Sequence, residues 1–241
     1  MQVVILAGGA GKRMGDLARD LPKPMVPIAG RPILEHQLDW VRRAGLRDVL
    51  LLTGHRGDVI EQHFGDGTRL GLNLTYHREP SPLGTAGAVR EAADPLRDDF
   101  LVLYGDTIFD IDLEHLVAHH REHAGLATLL VHPNDHPYDS DLVDTDETDR
   151  IIAFHRKPRP TDRHYRNLVS AALYVMSPRV LEHVERGAFA DFGRDVFPSL
   201  VDAGHKLVAY NTAQYIKDVG PPPRLREVGR DIDSARVPGS H

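Results

Sequence analysis

The chain has 241 residues, of which 41% are hydrophobic and 27% charged, so it can form one large globular domain with a substantial core. Its net charge of −6 gives no basis for a nucleic-acid surface, and the absence of cysteine excludes disulfide bonds and thiol chemistry. No apolar stretch approaches the length of a membrane span, and the N-terminal apolar run is too short for a signal peptide. We therefore expect a cytoplasmic protein with no membrane partner and no nucleic-acid partner.

The N-terminus combines an apolar run with a glycine-rich turn. The run from Val3 to Leu6 predicts a buried parallel strand, which is followed by A-G-G-A-G-K-R-M at 7–14. Glycines let the backbone turn sharply and bring its N–H groups close to an anion. Arg13 and Lys23 can then supply positive charge on opposite sides of that anion. Together these features predict a triphosphate site.

Two familiar phosphate loops do not fit this turn. A P-loop would need glycine at the place of Leu6 and serine or threonine at the place of Arg13. The dinucleotide fingerprint would need a third glycine at the place of Met14. A tight connection between a strand and a helix would explain the glycines alone, but not the Lys23-Pro24 segment that follows them.

Strand-like and helix-like patterns alternate along the first half of the chain. Apolar runs predict strands at 48–53, 72–77, 100–104 and 127–132. The spacing of apolar residues and the positions of Pro32, Gly45 and Gly84 predict helices at 32–45, 84–93 and 112–123. This alternation predicts an α/β fold with a doubly wound, mostly parallel, Rossmann-like sheet flanked by helices. Shorter runs at 142–143, 151–155 and 169–176 indicate a smaller mixed or antiparallel portion.

Two motifs are typical of one enzyme family. L-A-G-G-x-G-x-R-M at 6–14 and P-K-P-M-V-P-I-A-G-R-P-I-L-E at 22–35 resemble the sugar-1-phosphate nucleotidylyltransferases, and the resemblance runs to about Arg230. It implies one nucleotidyltransferase domain over 1–230, with a nucleotide-binding half over about 1–125 and a sugar-phosphate-binding half over about 126–230. The smaller mixed portion then belongs to the sugar pocket. Residues 231–241 are expected to form a flexible tail, and a homodimer is left open as the assembly.

The reaction that this resemblance implies is nucleotidyl transfer between a nucleoside triphosphate and a sugar 1-phosphate. An oxygen of the sugar phosphate attacks the α-phosphorus in line, and pyrophosphate leaves. Because the attacking phosphate is already ionised at neutral pH, no general base is required. Catalysis then depends on positioning and on neutralising phosphate charge, which calls for cations, backbone donors and Mg²⁺.

A pair of aspartates is expected to hold the metal. Asp106 follows the predicted strand at 100–104, at the carboxyl edge where open α/β sheets bind ligands. Asp218, in Y-I-K-D-V-G at 215–220, matches the second aspartate segment of the family. Carboxylate oxygens together with substrate phosphate suit Mg²⁺.

Three basic residues match positions at which the family contacts phosphate. The resemblance implies that Arg13 binds the β- and γ-phosphates and that Lys23 reaches the α-phosphate. Lys157 should hold the phosphate of the sugar. The family usually has glutamate before this lysine, whereas this chain has Arg156, so the sugar contact there is expected to differ.

Nucleotide recognition is assigned to three segments. The resemblance places Glu79 near the base, and the other expected nucleotide-binding residues, besides Arg13, are Leu6, Ala7, Gly8, Gly9, Gly11, Gly84, Thr85 and Ala86. A carboxylate accepts hydrogen bonds and donates none, and guanine offers two adjacent donors. Uracil and thymine suit an amide side chain better, and adenine offers a single donor beside an acceptor. Glu79 therefore favours GTP.

The sugar-phosphate site is expected to include Lys157, Asp139, Ser140, Ser170 and Ala171. H-P-Y-D-S-D-L-V at 136–143 and D-F-G-R-D-V-F-P at 191–198 resemble the branch that acts on D-glycero-D-manno-heptose 1-phosphate, which we favour as the substrate. The alternatives are ATP- or UTP-dependent transfer to heptose, mannose or glucose 1-phosphate. Two others are cytidylyl transfer to a non-sugar alcohol phosphate and a catalytically silent regulatory subunit that binds a sugar nucleotide.

Three of the four histidines in the predicted helix at 112–123 are regularly spaced. His115, His119 and His123 recur at every fourth residue, a spacing that can chelate zinc. The H-E-x-x-H motif is absent, however, and the alternation with glutamate and arginine is typical of a solvated helix face. The sequence alone therefore predicts no zinc site here.

Overall fold

The computed structural model describes residues 1–9, 11, 14, 21–134, 136–160 and 162–234. The chain forms two compact units that alternate along the sequence. The first unit contains Met1–Pro82, Val102–Asp112 and the residues from Gln214 on, and the second contains Leu83–Leu101 and Leu113–Ala213. The sequence predicts two consecutive halves meeting near residue 125, whereas each observed unit is built from separate segments.

Thirteen strands and six helices are formed by the described residues. The strands are β1 (Val3–Leu6), β2 (Pro27–Ile28), β3 (Arg31–Pro32), β4 (Asp48–Thr53), β5 (Asn73–Arg78), β6 (Phe100–Tyr104), β7 (Thr107–Asp110), β8 (Ala127–His132), β9 (Leu142–Thr145), β10 (Ile151–His155), β11 (Val169–Met176), β12 (Leu207–Asn211) and β13 (Tyr215–Asp218). The helices are α1 (Ile33–Arg43), α2 (Gly57–Phe64), α3 (Gly84–Glu91), α4 (Leu113–His123), α5 (Phe197–Asp202) and α6 (Pro222–Asp233).

The first unit contains a parallel sheet. β1 pairs with β4, with Val3 opposite Val49, and β4 pairs with β5, both in parallel. β6 is the neighbour of β1 on the other side. β1 and β4 are almost entirely apolar and buried, as expected of parallel strands covered on both faces. The carboxyl ends of these strands form the edge at which open α/β sheets bind ligands.

Helix α1 follows the predicted pattern except at its start. Its apolar residues Ile33, Leu34, Leu38 and Val41 are fully buried, which accounts for their helical spacing. Pro32 was expected in the first turn, and that prediction is wrong. It precedes the helix with an extended ψ of 144°, because it pairs with Pro27 in the β2–β3 ladder.

A second apolar core of the first unit involves the C-terminal helix α6. Val228 and Ile232 pack with Val26, Ile33, Ile108 and Val219 in one buried cluster. Ile232 and Asp231 are almost completely buried. Ordered helix therefore extends past Arg230 to Asp233, which corrects the expected start of a flexible tail at residue 231. Residues 235–241 lie outside the described part of the chain.

The second unit contains a mixed sheet. β9 pairs with β10 and β11, and β11 pairs with β8, all antiparallel, whereas β12 pairs with β8 in parallel. This matches the mixed portion predicted from the runs at 142–143, 151–155 and 169–176. The predicted fold class, mostly parallel strands flanked by helices with a smaller mixed portion, is confirmed. Among the described helices, none is long and apolar enough to cross a membrane.

Candidate active site

Glycines lie at or just after the ends of three strands of the parallel sheet. Gly8 lies two residues after β1, Gly54 follows β4, and Gly105 follows β6. A Cβ on Gly54 would lie 3.1 Å from Gly8 O, and a Cβ on Gly105 would lie 2.9 Å from Leu6 O. Side chains at these positions would crowd the backbone, so the glycines let the three strand ends approach one another closely. The result is an edge built mainly from backbone, where a phosphate can contact N–H groups.

Glu79 lies beside this edge. It follows β5, and its N–H donates to Thr53 O over 2.9 Å. Its Oε2 lies 3.1 Å from the position that a Cβ on Gly8 would take. The structure therefore brings the predicted base-reading carboxylate against the predicted nucleotide-binding loop. Whether it reads the base stays a prediction.

The other expected nucleotide-binding residues of the N-terminal loop differ in burial. Ala7 is buried and its N–H donates to Leu52 O over 2.8 Å, whereas Gly9 is exposed. Gly11 has a φ of 63°, a left-handed conformation that glycine adopts without strain. The predicted phosphate-binding Arg13 lies outside the described residues, as does Lys12.

The predicted α-phosphate contact Lys23 and the predicted metal ligand Asp106 form an ion pair. Lys23 Nζ donates to Asp106 Oδ2 over 2.6 Å, and the two side chains are 9% and 31% exposed. Lys23 lies in a single 3₁₀ turn, Lys23–Met25, and Asp106 lies in the tight turn between β6 and β7. A mostly buried ammonium beside a partly exposed carboxylate is suited to neutralise an incoming phosphate.

Gln37 fixes the turn that carries Asp106. Its side chain is buried on α1, and Nε2 donates to Tyr104 O over 2.8 Å and to Thr107 O over 2.6 Å. These two carbonyls flank the turn on both sides. Gln37 was not predicted from the sequence, although a glutamine between the buried positions Ile33 and Val41 of a helix is a signal that could have identified it.

Asp218 reaches the same turn through a two-stranded ladder. β13 pairs antiparallel with β7, with Asp218 opposite Thr107, and Val219 N donates to Asp106 O over 2.6 Å. Asp218 also forms an ion pair with Arg224 of α6. The ladder thus places the two predicted metal ligands at adjacent positions of neighbouring chain segments. Two carboxylates with substrate oxygens are the donor set that Mg²⁺ accepts, so these residues fit the metal.

A polar network anchors β13 to α6. Lys217 Nζ donates to Glu227 Oε1 over 2.5 Å and to Asp231 Oδ2 over 2.9 Å, and Tyr215 donates to the same Asp231 oxygen. Burial and the neighbouring Asp231 raise the pKa of Tyr215 well above its usual range. Burial opposes the charge of Lys217, but its two carboxylate partners raise its pKa on balance. The strand that carries Asp218 is therefore held firmly.

The expected nucleotide-binding residues Gly84, Thr85 and Ala86 make tight contacts within the second unit. Ala86 N donates to Ala190 O over 2.9 Å, and a Cβ on Gly84 would collide with that same oxygen. Thr85 Oγ1 donates to Asp191 Oδ2 over 2.9 Å. Packing of this segment against the residues around Ala190 thus explains its small side chains, and its role in nucleotide binding stays a prediction.

The expected sugar-phosphate residues of the second unit lie on or near one loop. Lys157 is exposed, and its backbone N–H donates to Asp141 Oδ1 over 3.0 Å. Ser140 is buried, and its Oγ accepts from Asn134 Nδ2 over 2.7 Å. Arg159, which was not predicted from the sequence, donates from its guanidinium to the Ser140 carbonyl. The side chain of Asp139 is outside the described part of the chain.

Ser170 and Ala171 lie on β11, where the pairing with β8 is irregular between Ser170 and Tyr174. Ala172 in this stretch has a φ of 50°, which is unusual for a non-glycine residue. Ser170 Oγ is buried and has no hydrogen-bond partner among the described residues. An irregular strand with an unsatisfied hydroxyl is typical of a binding site, and the sugar contact stays a prediction.

The structure brings a mostly buried lysine and the segments of two aspartates together at the end of a parallel sheet. The chain belongs to the nucleotidyl transferase family, whose model matches residues 2–235. This confirms the family resemblance seen in the motifs at 6–14 and 22–35.

Three curated relatives show the range of this family. The chain is 38% identical over 227 residues to mannose-1-phosphate guanylyltransferase of Mycobacterium tuberculosis, covering 92% of this chain and 62% of the relative. It is 31% identical to UTP–glucose-1-phosphate uridylyltransferase of Synechocystis, covering 99% and 66%. It is 31% identical to D-glycero-alpha-D-manno-heptose 1-phosphate guanylyltransferase of Campylobacter jejuni, covering 92% and 96%. The chain thus spans about two thirds of the length of the first two relatives and nearly all of the third.

A solved structure has the same fold. HddC from Yersinia pseudotuberculosis, complexed with GMP-PN, superposes with a TM-score of 0.80 at 24% identity. The match covers 95% of this chain and 98% of that one. At this level of identity the similarity concerns the fold alone.

Proposed function

We propose that the chain transfers a nucleotidyl group from a nucleoside triphosphate to a sugar 1-phosphate. The observation that supports this best is the pairing of Lys23 with Asp106 at the carboxyl edge of the sheet, with Asp218 on the adjoining strand. A bond forms between an oxygen of the sugar phosphate and the α-phosphorus. The bond from that phosphorus to the bridging oxygen breaks, and its electron pair leaves with pyrophosphate.

The role of Lys23 follows from its surroundings. Because the sugar phosphate is already ionised, the protein must stabilise charge on the α-phosphate in the transition state rather than remove a proton. Lys23 is mostly buried, so its ammonium is held in place and weakly screened by water. It can exchange the Asp106 carboxylate for an α-phosphate oxygen, because both are anionic acceptors. Arg13 would bind the β- and γ-phosphates.

The carboxylates Asp106 and Asp218 would hold Mg²⁺. Mg²⁺ supplies charge neutralisation for the triphosphate when it is bound. The chain's own contribution is to carry Asp106 in the turn directly before β7 and Asp218 opposite Thr107 on β13. Gln37 supports the turn, and the Lys217 network anchors β13 to α6. This support fixes the backbone that carries each acidic residue before the ligand arrives.

For the nucleotide, we infer a preference for GTP. The Glu79 carboxylate lies against the glycine turn, where it can accept from the N1–H and the exocyclic amine of guanine. The relatives of Mycobacterium tuberculosis and Campylobacter jejuni are named as guanylyltransferases, which agrees with this choice. The Synechocystis relative is named as a uridylyltransferase, so UTP is the alternative that a test must include.

For the sugar, we favour D-glycero-D-manno-heptose 1-phosphate. The motifs at 136–143 and 191–198 resemble the heptose branch, and the Campylobacter jejuni relative of that name matches over 96% of its length. Mannose and glucose 1-phosphate are the alternatives. Lys157 would hold the sugar phosphate, and the loop that Arg159 ties through Ser140 would line the sugar pocket.

The test is a matrix of the four common ribonucleoside triphosphates and TTP against mannose, glucose and both heptose 1-phosphate anomers, assayed by pyrophosphate release with Mg²⁺. We expect the highest kcat/KM for GTP with a heptose 1-phosphate. If turnover were best with UTP or TTP, the preference for GTP would be wrong, but the proposed nucleotidyl transfer would stand. No turnover with any pair, together with tight binding of a sugar nucleotide, would contradict the enzymatic role and favour a regulatory subunit.

A further inference from the structure

Three side chains of the second unit form a cluster with the donor atoms of a transition-metal site. His119 and His123 of α4 and Asp149 of the turn between β9 and β10 each place one ligand atom within 4.8 Å of the other two. We propose that these residues bind one divalent metal ion of the zinc class. The site is separate from Asp106 and Asp218, which lie in the first unit.

The two histidines are arranged as a helical chelating pair. They are four residues apart on α4, and their ring centroids are 4.0 Å apart with an angle of 32° between the ring planes. The edge of the Tyr210 ring contacts His119, with 5.2 Å between centroids, and limits its rotation. The two imidazoles therefore lie side by side with little freedom for His119 to turn away.

Hydrogen bonds to the backbone fix the tautomer of each imidazole. His119 Nε2 is 3.1 Å from Ala209 O, and His123 Nδ1 is 3.0 Å from His119 O. A carbonyl accepts only, so each of these nitrogens carries the N–H and donates it. The opposite nitrogens, His119 Nδ1 and His123 Nε2, then carry the lone pairs that a metal needs. A metal-binding histidine usually makes such a second hydrogen bond to a carbonyl.

One residue positions ligands from both chain segments. Ala209 of β12 accepts from His119 through its carbonyl and donates its N–H to Asp149 O over 2.8 Å. The turn before Asp149 is closed by Asp146, whose carboxylate accepts from Thr148 N and Arg150 N. Asp149 itself has a φ of 59° and an exposed side chain. Its backbone is thus fixed, whereas its carboxylate can rotate toward the imidazoles.

This donor set indicates the kind of metal. Two imidazole nitrogens and one carboxylate oxygen suit Zn²⁺, which takes three protein ligands and one water, whereas Mg²⁺ prefers oxygen ligands only. Bonds of about 2.0 Å in a tetrahedral site put ligand atoms roughly 3.3 Å apart, so small side-chain rotations would close the observed cluster. The third ligand explains why the sequence alone did not predict this site, since Asp149 belongs to a distant turn.

The proposal is tested by metal binding to the full chain, purified without a histidine tag and stripped with chelator. Zn²⁺ is titrated by calorimetry in excess Mg²⁺, which keeps the carboxylates of the first unit occupied. We expect one Zn²⁺ per chain with a Kd below about 10 μM. Co²⁺ in place of Zn²⁺ should give the visible absorption of a four-coordinate site, a readout that needs no enzymatic activity.

Variants separate this site from ordinary surface binding. His123→Ala and Asp149→Asn should each weaken Zn²⁺ binding at least about tenfold, because each removes one of three ligands. Asparagine tolerates the left-handed backbone of residue 149, so Asp149→Asn keeps the test valid if His123→Ala folds poorly. His115→Ala is the matched control, since His115 is exposed on the same helix and is outside the cluster. The proposal would be overturned if His123→Ala and Asp149→Asn bound Zn²⁺ as tightly as the wild type and the His115→Ala control, or if the wild type did not bind Zn²⁺.

Discussion

The two lysines assigned to phosphate lie in very different environments. Lys23 of the first unit is 9% exposed and is held 2.6 Å from Asp106, in front of a turn that Gln37 supports from below. Lys157 of the second unit is exposed, and the structure fixes its backbone through Asp141. The ammonium of Lys23 is therefore held by a carboxylate of the protein, whereas Lys157 is anchored at its backbone and is exposed to solvent. From this contrast we expect a fixed triphosphate site and an adaptable sugar site.

The largest effect is expected from substitutions in the first unit, at the two aspartates assigned to the metal. Asp106→Asn and Asp218→Asn should each lower kcat by about a thousandfold or more, because each removes a charged metal ligand while keeping the side-chain volume. Pyrophosphate release measures the loss, and circular dichroism checks the fold.

Asp58→Asn, an exposed carboxylate of α2, is the control for these variants and should leave kcat unchanged. Activity of either site variant within tenfold of wild type at moderate Mg²⁺ would show that the metal ligands have been assigned wrongly.

Glu79→Gln tests recognition of the nucleotide base in the first unit. The amide keeps one acceptor but directs a donor at a donor of guanine, and a mispaired buried polar group costs about 1–3 kcal/mol. We expect kcat/KM for GTP to fall about ten- to a hundredfold. UTP should lose much less, since an amide can meet a donor and an acceptor together. An equal change for every nucleotide would mean that Glu79 does not read the base.

Lys157→Ala tests the expected sugar-phosphate site of the second unit. An exposed lysine that meets the sugar phosphate in ground and transition states alike should mainly affect KM, which we expect to rise about tenfold for the sugar phosphate. The melting temperature should not change, because the side chain is exposed. A rise in the KM for nucleotide, with the sugar phosphate unaffected, would contradict this placement.

The smallest effect concerns the pH dependence of stability. His36 of α1 is buried with its Nε2 donating to Ile28 O over 2.9 Å, and burial lowers its pKa below 6.5 despite this bond. As the pH falls below about 6.5, His36 of the unfolded chain binds a proton that His36 of the folded chain does not bind. The free energy of unfolding is therefore undiminished by this group above about pH 6.5 and decreases as the pH is lowered. The loss is at most about 1.4 kcal/mol per pH unit for this group.

Thermal unfolding at pH 7.5 and 5.5 measures this loss. His36→Gln should reduce the difference between the two pH values, whereas the same change at the exposed His55 should not. An identical pH dependence in wild type and His36→Gln would show that His36 does not contribute to it.

Local patterns predicted the elements whose residues are buried together. The apolar runs at 48–53, 100–104 and 127–132 coincide with β4, β6 and β8. A short, continuous apolar run is typical of a strand that is covered on both faces of a sheet. The β7–β13 ladder was not predicted. Its strands, T-I-F-D and Y-I-K-D, are short and half polar, and their partners are far apart in sequence.

The residues of the candidate site also divide into those that local motifs predicted and those that they did not. Lys23, Asp106 and Asp218 were found through motifs, and the structure brings all three to one turn. Gln37 and Arg159 were missed because they act by holding backbone carbonyls of other segments, which no local spacing reveals. The segment at 84–86 was assigned to nucleotide binding through the family resemblance, and the structure shows that tight packing against Ala190 also requires small residues there.

The β7–β13 ladder also has a consequence for how the protein is made. Asp106 leaves the ribosome well before Asp218, whose strand pairs with the strand that follows Asp106. Domains fold as their residues emerge, so the parallel strands can assemble while the acidic pair is still incomplete. A nascent chain interrupted before Gln214 would lack both the second carboxylate and the helix that buries Ile232. The proposed pair of metal ligands is therefore complete only once β13 has been translated.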